Sequence, residues 1–89
     1  MNASKDEILE NICYTELVYG RINKKLGTNL SKKQIEKLTI TILKETEDKF
    51  ISKIGKNYYV TNLERGIKIT INSHTFRVIT VDNTLDSKR

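Results

Sequence analysis

The sequence predicts an α+β domain, with an N-terminal αα-hairpin packed on a small three- or four-stranded antiparallel sheet. Apolar residues recur at helical spacing through residues 5–46, and from Phe50 the period changes to two, in short runs rich in β-branched and aromatic side chains. A chain of 89 residues is long enough for one core and too short for two. One domain over 1–89 is therefore expected, divided into a helical hairpin (5–46), a sheet (50–81) and a tail (82–89).

Ser4 followed by Glu7 reads as a capping box, with Asp6 adding favourable charge to the first turn. From there Ile8, Ile12, Thr15, Tyr19, Ile22 and Leu26 fall in one sector of a single helix, flanked by Leu9 and Val18. Gly20 interrupts that helix and predicts a kink or a close backbone contact. Lys24 and Lys25 followed by Gly27 form its C-terminal stop. Ser31 and Gln34 make a second capping box, with Leu30 stapled to Ile35. Ile35, Leu38, Ile42 and Leu43 then give an amphipathic helix that ends near Thr46.

Four runs read as strands: Phe50–Ile54, Asn57–Thr61, Ile67–Asn72 and Thr75–Val81. A two-residue turn at Ser73-His74 would set Ile71 opposite Phe76, Ile69 opposite Val78 and Ile67 opposite Thr80. One face is then apolar, and the other carries Lys68, Thr70, Asn72, Thr75 and Arg77, with Ile79 and Val81 toward its far end. Asn62 to Gly66 reads as a structural turn with a local Glu64 and Arg65 pair.

The net charge of +5 is uneven along the chain. Met1–Tyr19 sets one base against four acids, and Gly20–Lys44 sets seven bases against one acid. Three acids follow at Glu45, Glu47 and Asp48, and Lys49–Arg77 then carries six bases against one acid. Clustered Lys and Arg can displace counterions from phosphates, so a polyanionic partner is permitted. The cations that would carry it are Lys24, Lys25, Lys32, Lys33 and Lys37 around the second helix, or Lys68 and Arg77 on the sheet, with Tyr58 or Tyr59 as a stacking surface. A helix-turn-helix centred on Gly27 fits poorly, because it puts Thr28, Lys33 and Glu36 where that motif buries apolar groups.

Catalytic chemistry is scarce. His74 is the one histidine and Cys13 the one cysteine, so neither a zinc set nor a disulfide can be assembled. A Cys13–His74 dyad would require the predicted turn to fold over the middle of the first helix, and Cys13 reads instead as a small buried apolar residue. No phosphate-binding glycine motif occurs. No catalytic residue, metal or cofactor is expected, and a metal-independent nuclease is the remaining enzymatic option. A single cysteine, together with the lack of a signal-like or membrane-spanning run, points to the cytoplasm and away from a membrane.

Glu10–Tyr19 with its continuation to Leu26-Gly27, Gly55–Asn62, Ile69–Ser73 and Arg77–Val81 resemble a family of short uncharacterised bacterial proteins, the domain of unknown function 3781. The resemblance covers most of the chain and implies a free-standing cytosolic bacterial protein with no assigned activity. It draws attention to Tyr14, Asn57, Asn62 and Asn72 as polar groups tied to structure or function. The expected function is a non-enzymatic module that binds a macromolecular partner through basic patches, a nucleic acid ahead of an acidic protein surface. The alternative is a regulator or inhibitor from a mobile element, engaging one protein target through an edge strand or its helical surface. The sequence does not fix an oligomeric state.

Overall fold

The computed structural model describes the backbone of residues 3–84 and the side chains of residues 5–84. Three helices precede a four-stranded antiparallel sheet: α1 (Ala3–Asn11), α2 (Glu16–Leu26), α3 (Lys32–Glu45), a 3-10 turn (Asp48–Phe50), then β1 (Ile51–Ile54), β2 (Asn57–Asn62), β3 (Ile67–Asn72) and β4 (Val78–Asn83). The strands follow one another in space in the order of the sequence, each paired antiparallel with the next. The core lies between the helices and one face of the sheet. Ile8 of α1, Val18 and Ile22 of α2, and Ile35, Ile42 and Leu43 of α3 are buried there against Tyr58, Val60, Ile69, Ile71, Val78 and Val81.

The long first helix expected from the sequence is two helices. Residues 12–15 leave helical geometry, and Cys13 pairs with Arg77 in a short parallel bridge: Cys13 N–H donates to the Phe76 carbonyl at 2.9 Å, and Val78 N–H donates to the Cys13 carbonyl at 2.9 Å. The break falls here and not at Gly20, which sits inside α2 with open space around it. Thr15, placed by periodicity on the core stripe, is the exposed N-cap of α2. Helix α1 already includes Ala3, and the expected Ser4–Glu7 box depends on a Ser4 side chain outside the described residues.

The remaining helix signals fall where the sequence put them. Gly27 closes α2 with φ 69°, a left-handed cap that suits glycine. Asn23 shapes the link to α3: its Oδ1 accepts from Leu30 N–H at 2.9 Å and from the Thr28 hydroxyl at 2.8 Å. Ser31 and Gln34 form the capping box of α3. The main neighbour of α2 is β4 and not α3, while α3 leans on α1, α2 and β2 alike, so the structure does not single out the αα-hairpin expected from sequence. Lys5 of α1 closes the end of α3, its Nζ donating to the Lys44 carbonyl at 3.0 Å and the Thr46 carbonyl at 2.7 Å.

The last hairpin corrects the expected register. Ile71 pairs with Val78 and Ile69 with Val81, in place of Phe76 and Val78. The turn is longer than two residues because Asn72 organises it: its Oδ1 accepts from His74 N–H and Thr75 N–H, both at 2.8 Å. Phe76 then takes φ 61°, an uncommon left-handed conformation for a bulky residue. Ile71 pairs with Val78 while Thr70 pairs with Thr80, so Ile79 is an extra residue in a bulge. That bulge lets Val78 and Val81, three apart, both reach the core, whereas the expected register left Val81 on the outer face. Phe50 belongs to the 3-10 turn and not to β1, and β4 runs to Asn83, past the expected limit of the sheet. Of the expected tail, residues 85–89 lie outside those described.

Candidate partner-binding surface

The residues expected to bind do not form one patch. On α3, Lys33 and Lys37 are exposed and line shallow hollows along its outer surface, the latter beside Leu38 and Thr41. Lys32 is held in an ion pair with Glu16 of α2, and its Nζ lies 5.4 Å from the centre of the Tyr19 ring. Lys25 pairs with Asp82 of β4 at 3.2 Å, leaving Lys24 beside it exposed without a described anionic partner.

The sheet pair separates too. Lys68 is half-buried, aligned with Asp82 and 5.8 Å from the Tyr59 ring centre. Arg77 lies at the other end of the hairpin, where its carbonyl accepts from Asn72 N–H. Asn72, beside which Arg77 lies, is four positions along β3 from Lys68, about 13 Å of strand. Tyr58 is not a stacking surface, since it is only 8% exposed and its ring packs in the core against Phe76, 6.3 Å between centres. The partly exposed ring is Tyr59, whose hydroxyl accepts from Asn57 Nδ2 at 3.4 Å.

What the structure does assemble is a surface between α2 and β4. The two elements run side by side, joined at one end by the Cys13–Arg77 bridge and at the other by Lys25–Asp82. Between them lies an open hollow of about 270 Å³ lined by Thr15, Leu17, Val18, Arg21, Arg77, Val78 and Ile79. Val18 and Val78 belong to its buried side. Leu17, 84% exposed, and Ile79, 38% exposed, are its apolar walls. Arg21 and Arg77 are exposed, and neither forms an ion pair with a described residue.

Of these, only Arg77 was singled out from sequence. A signal existed for Leu17, a large apolar residue off the stripe that buries Val18 and Ile22, with Arg21 one turn further along. Strand alternation had already put Ile79 on the outer face, and it is exposed there, although as the extra residue of a bulge the alternation did not foresee.

The remaining polar groups hold the fold together. Arg65 forms a two-pronged pair with Glu45, Nε to Oε1 at 2.8 Å and Nη2 to Oε2 at 3.0 Å, in place of the local Glu64 pair expected from sequence. That bond holds the Glu45 carboxyl below its ordinary range and raises the guanidinium. The Tyr19 hydroxyl donates to Glu36 Oε2 at 2.5 Å, which pushes its pKa up to about 12. Tyr14 stacks on Tyr19 with ring centres 5.7 Å apart, and burial pushes its own hydroxyl up to about 12. Thr39 lies beside that hydroxyl but donates to the Ile35 carbonyl at 2.8 Å, so Tyr14 Oη is buried without a well-formed hydrogen bond. Two phenols held protonated at neutral pH are poor bases and nucleophiles.

Cys13 is exposed, not buried, and the Ser73–Phe76 turn does reach it. Its thiol contacts the Thr75 carbonyl at 3.5 Å. Among the described residues no three His, Cys, Asp or Glu side chains cluster as a metal site, and no helix is long and apolar enough to cross a membrane.

A family model described as a protein of unknown function, DUF3781, matches residues 6–82, nearly the whole chain. No curated protein and no solved structure matches.

Proposed function

We propose, for a chain that belongs to the DUF3781 family and takes no assigned activity from it, that it is a non-enzymatic binding module of the cytoplasm whose α2–β4 face receives an acidic protein surface. The observation that carries this reading is the hollow in which exposed Leu17 and Ile79 stand beside Arg21 and Arg77. Apolar side chains with a guanidinium rim suit a protein partner. Arginine is enriched at interface hot spots, and its planar fork fits a carboxylate in two-pronged fashion. A phosphate backbone would leave Leu17 and Ile79 with nothing apolar to meet.

A nucleic-acid partner is the second reading. It is favoured by Lys24, Lys33 and Lys37, which remain exposed without an anionic partner among the described residues. Pairing of Lys25 and Lys32, and burial of Tyr58, weaken it.

Affinity capture from native cells, with and without nuclease, separates the two. The proposal expects a stoichiometric protein that survives nuclease and whose affinity falls about tenfold or more when Arg21→Glu and Arg77→Glu are combined. Recovery of nucleic acid alone, with capture that falls steeply as salt is added and is lost in Lys33→Glu/Lys37→Glu, would overturn it.

A further inference from the structure

Gly20 costs the fold stability without an internal return. It occupies the middle of α2 with ordinary helical backbone, and a Cβ placed on it would meet no atom within 4 Å. Gly27 and Gly55, in contrast, have φ of 69° and 63°, where side-chain-bearing residues are strained. Glycine inside a helix is worse than alanine because its backbone loses more freedom on folding. Neither the backbone nor the packing of α2 requires it.

The position of Gly20 supplies a reason. Leu17, three residues earlier, and Lys24, four later, lie on the same outer side of α2, with Arg21 adjacent. All four are exposed. The outer surface of α2 therefore has a notch one side chain deep at Gly20, and its neighbours Leu17 and Arg21 line the hollow formed with Arg77 and Ile79.

We infer that Gly20 is the point of closest approach for an acidic helix of a partner protein laid across α2. The inference rests on the proposed function and deepens it by naming the shape of the partner and the residue that admits it. The spacing of packed helices is set by the side chains at their contact, so a glycine there lets a second helix sit closer. One apolar side chain of the partner then enters the hollow against Leu17 and Ile79, and carboxylates on either side of it meet Arg21 and Arg77. Charge chooses the sign: Arg21, Lys24 and Arg77 form no ion pair with a described residue, while Asp82, the acid at the far end of this face, is taken by Lys25.

The test uses the full chain with a photo-crosslinking benzoylphenylalanine at Leu17 in native cells, and at Lys53 on β1 as the control position. Position 17 should capture a segment of another protein with Asp or Glu at helical spacing around an apolar residue, and position 53 should not. Capture of nucleic acid or of a second copy of this chain, or no capture, overturns this inference and the proposed function together.

The captured segment, made as a synthetic peptide, is then titrated against variants. Gly20→Ala should melt about 4 °C higher, because alanine is the better helix former, yet bind about tenfold more weakly, because its methyl fills the notch. Gly20→Leu should bind more weakly still while remaining folded. If both Gly20 variants bind as the wild type does while Arg21→Glu/Arg77→Glu does not, the notch is overturned and the proposed function stands.

Discussion

Asn62 holds the end of α3 to the β2–β3 turn. Its Nδ2 donates to Thr46 Oγ1 at 3.1 Å, and its Oδ1 accepts from Arg65 N–H at 2.9 Å, inside a site where both Asn62 and Thr46 are buried. Replacing it with alanine removes the donor to the buried Thr46 hydroxyl, which keeps only its own bond to the Ile42 carbonyl at 2.7 Å, and leaves the Arg65 N–H of the turn without its acceptor. Asn62→Ala should cost about 1–3 kcal/mol in urea denaturation, against a few tenths for an exposed asparagine such as Asn29→Ala. The family resemblance pointed to Asn62, Asn57, Asn72 and Tyr14, and in the structure each has a place in the fold: a buried link, a bond to Tyr59, an organised turn and a stacked ring. The sequence reading left the inward choice between Tyr58 and Tyr59 open and kept Tyr58 as a binding residue, whereas Tyr58 shares its parity with Val60 and both are buried. The partner of Arg65 was not legible in sequence, since a carboxylate twenty positions away is chosen by tertiary folding alone.

Tyr19 ties α2 to α3, and its titration reports on that contact. An unfolded tyrosine ionises near about pH 10, whereas Tyr19 and Tyr14 in the fold are pushed up to about 12. Both folded values are raised, so the fold favours the protonated phenols. Their contribution is complete below about pH 10 and is lost as the pH rises from there toward 12. Tyr19→Phe removes one of the two groups, so the gap in Tm between wild type and variant should be constant from pH 7 to 9 and shrink between pH 10 and 12. A gap that stays constant through pH 12 would mean the Tyr19–Glu36 bond does not persist in solution.

At this scale the boundaries of α2 at Gly27 and of α3 at Ser31 could be read from local chemistry, as could β3. The split between α1 and α2 could not. Ile8, Ile12, Tyr19 and Ile22 keep helical spacing across it, and no glycine or proline marks it. What ends α1 is the chance for Cys13 to exchange backbone hydrogen bonds with β4. The β4 register was hidden for a related reason: Phe76 at φ 61° and the extra residue at Ile79 carry no local signature.

For the whole molecule, consecutive strand order makes the sheet a meander of neighbouring hairpins, and the Cys13–Arg77 bridge joins its last strand to the helical layer. Cys13→Pro deletes the N–H that reaches the Phe76 carbonyl while keeping a residue of the extended link. It should destabilise the protein by more than about 1 kcal/mol and speed amide exchange at Val78, whereas Cys13→Ser, which keeps that N–H, should leave Val78 protected. The one-core architecture and the two-layer arrangement were legible because apolar periodicity changes once, near Phe50. The α2–β4 hollow was not, because it needs a helix and a strand sixty residues apart to be set side by side.

That bridge also orders events during synthesis. Successive hairpins can form as each strand leaves the ribosome, but the link at Cys13 needs the backbone on either side of Arg77 before it can be completed. Val18 and Ile22 are made early, while β4, the main neighbour of α2, is made last, so a nascent chain halted before β4 should carry an unpaired β3 edge and an uncovered apolar face of α2 together, the form of this protein most in need of a chaperone.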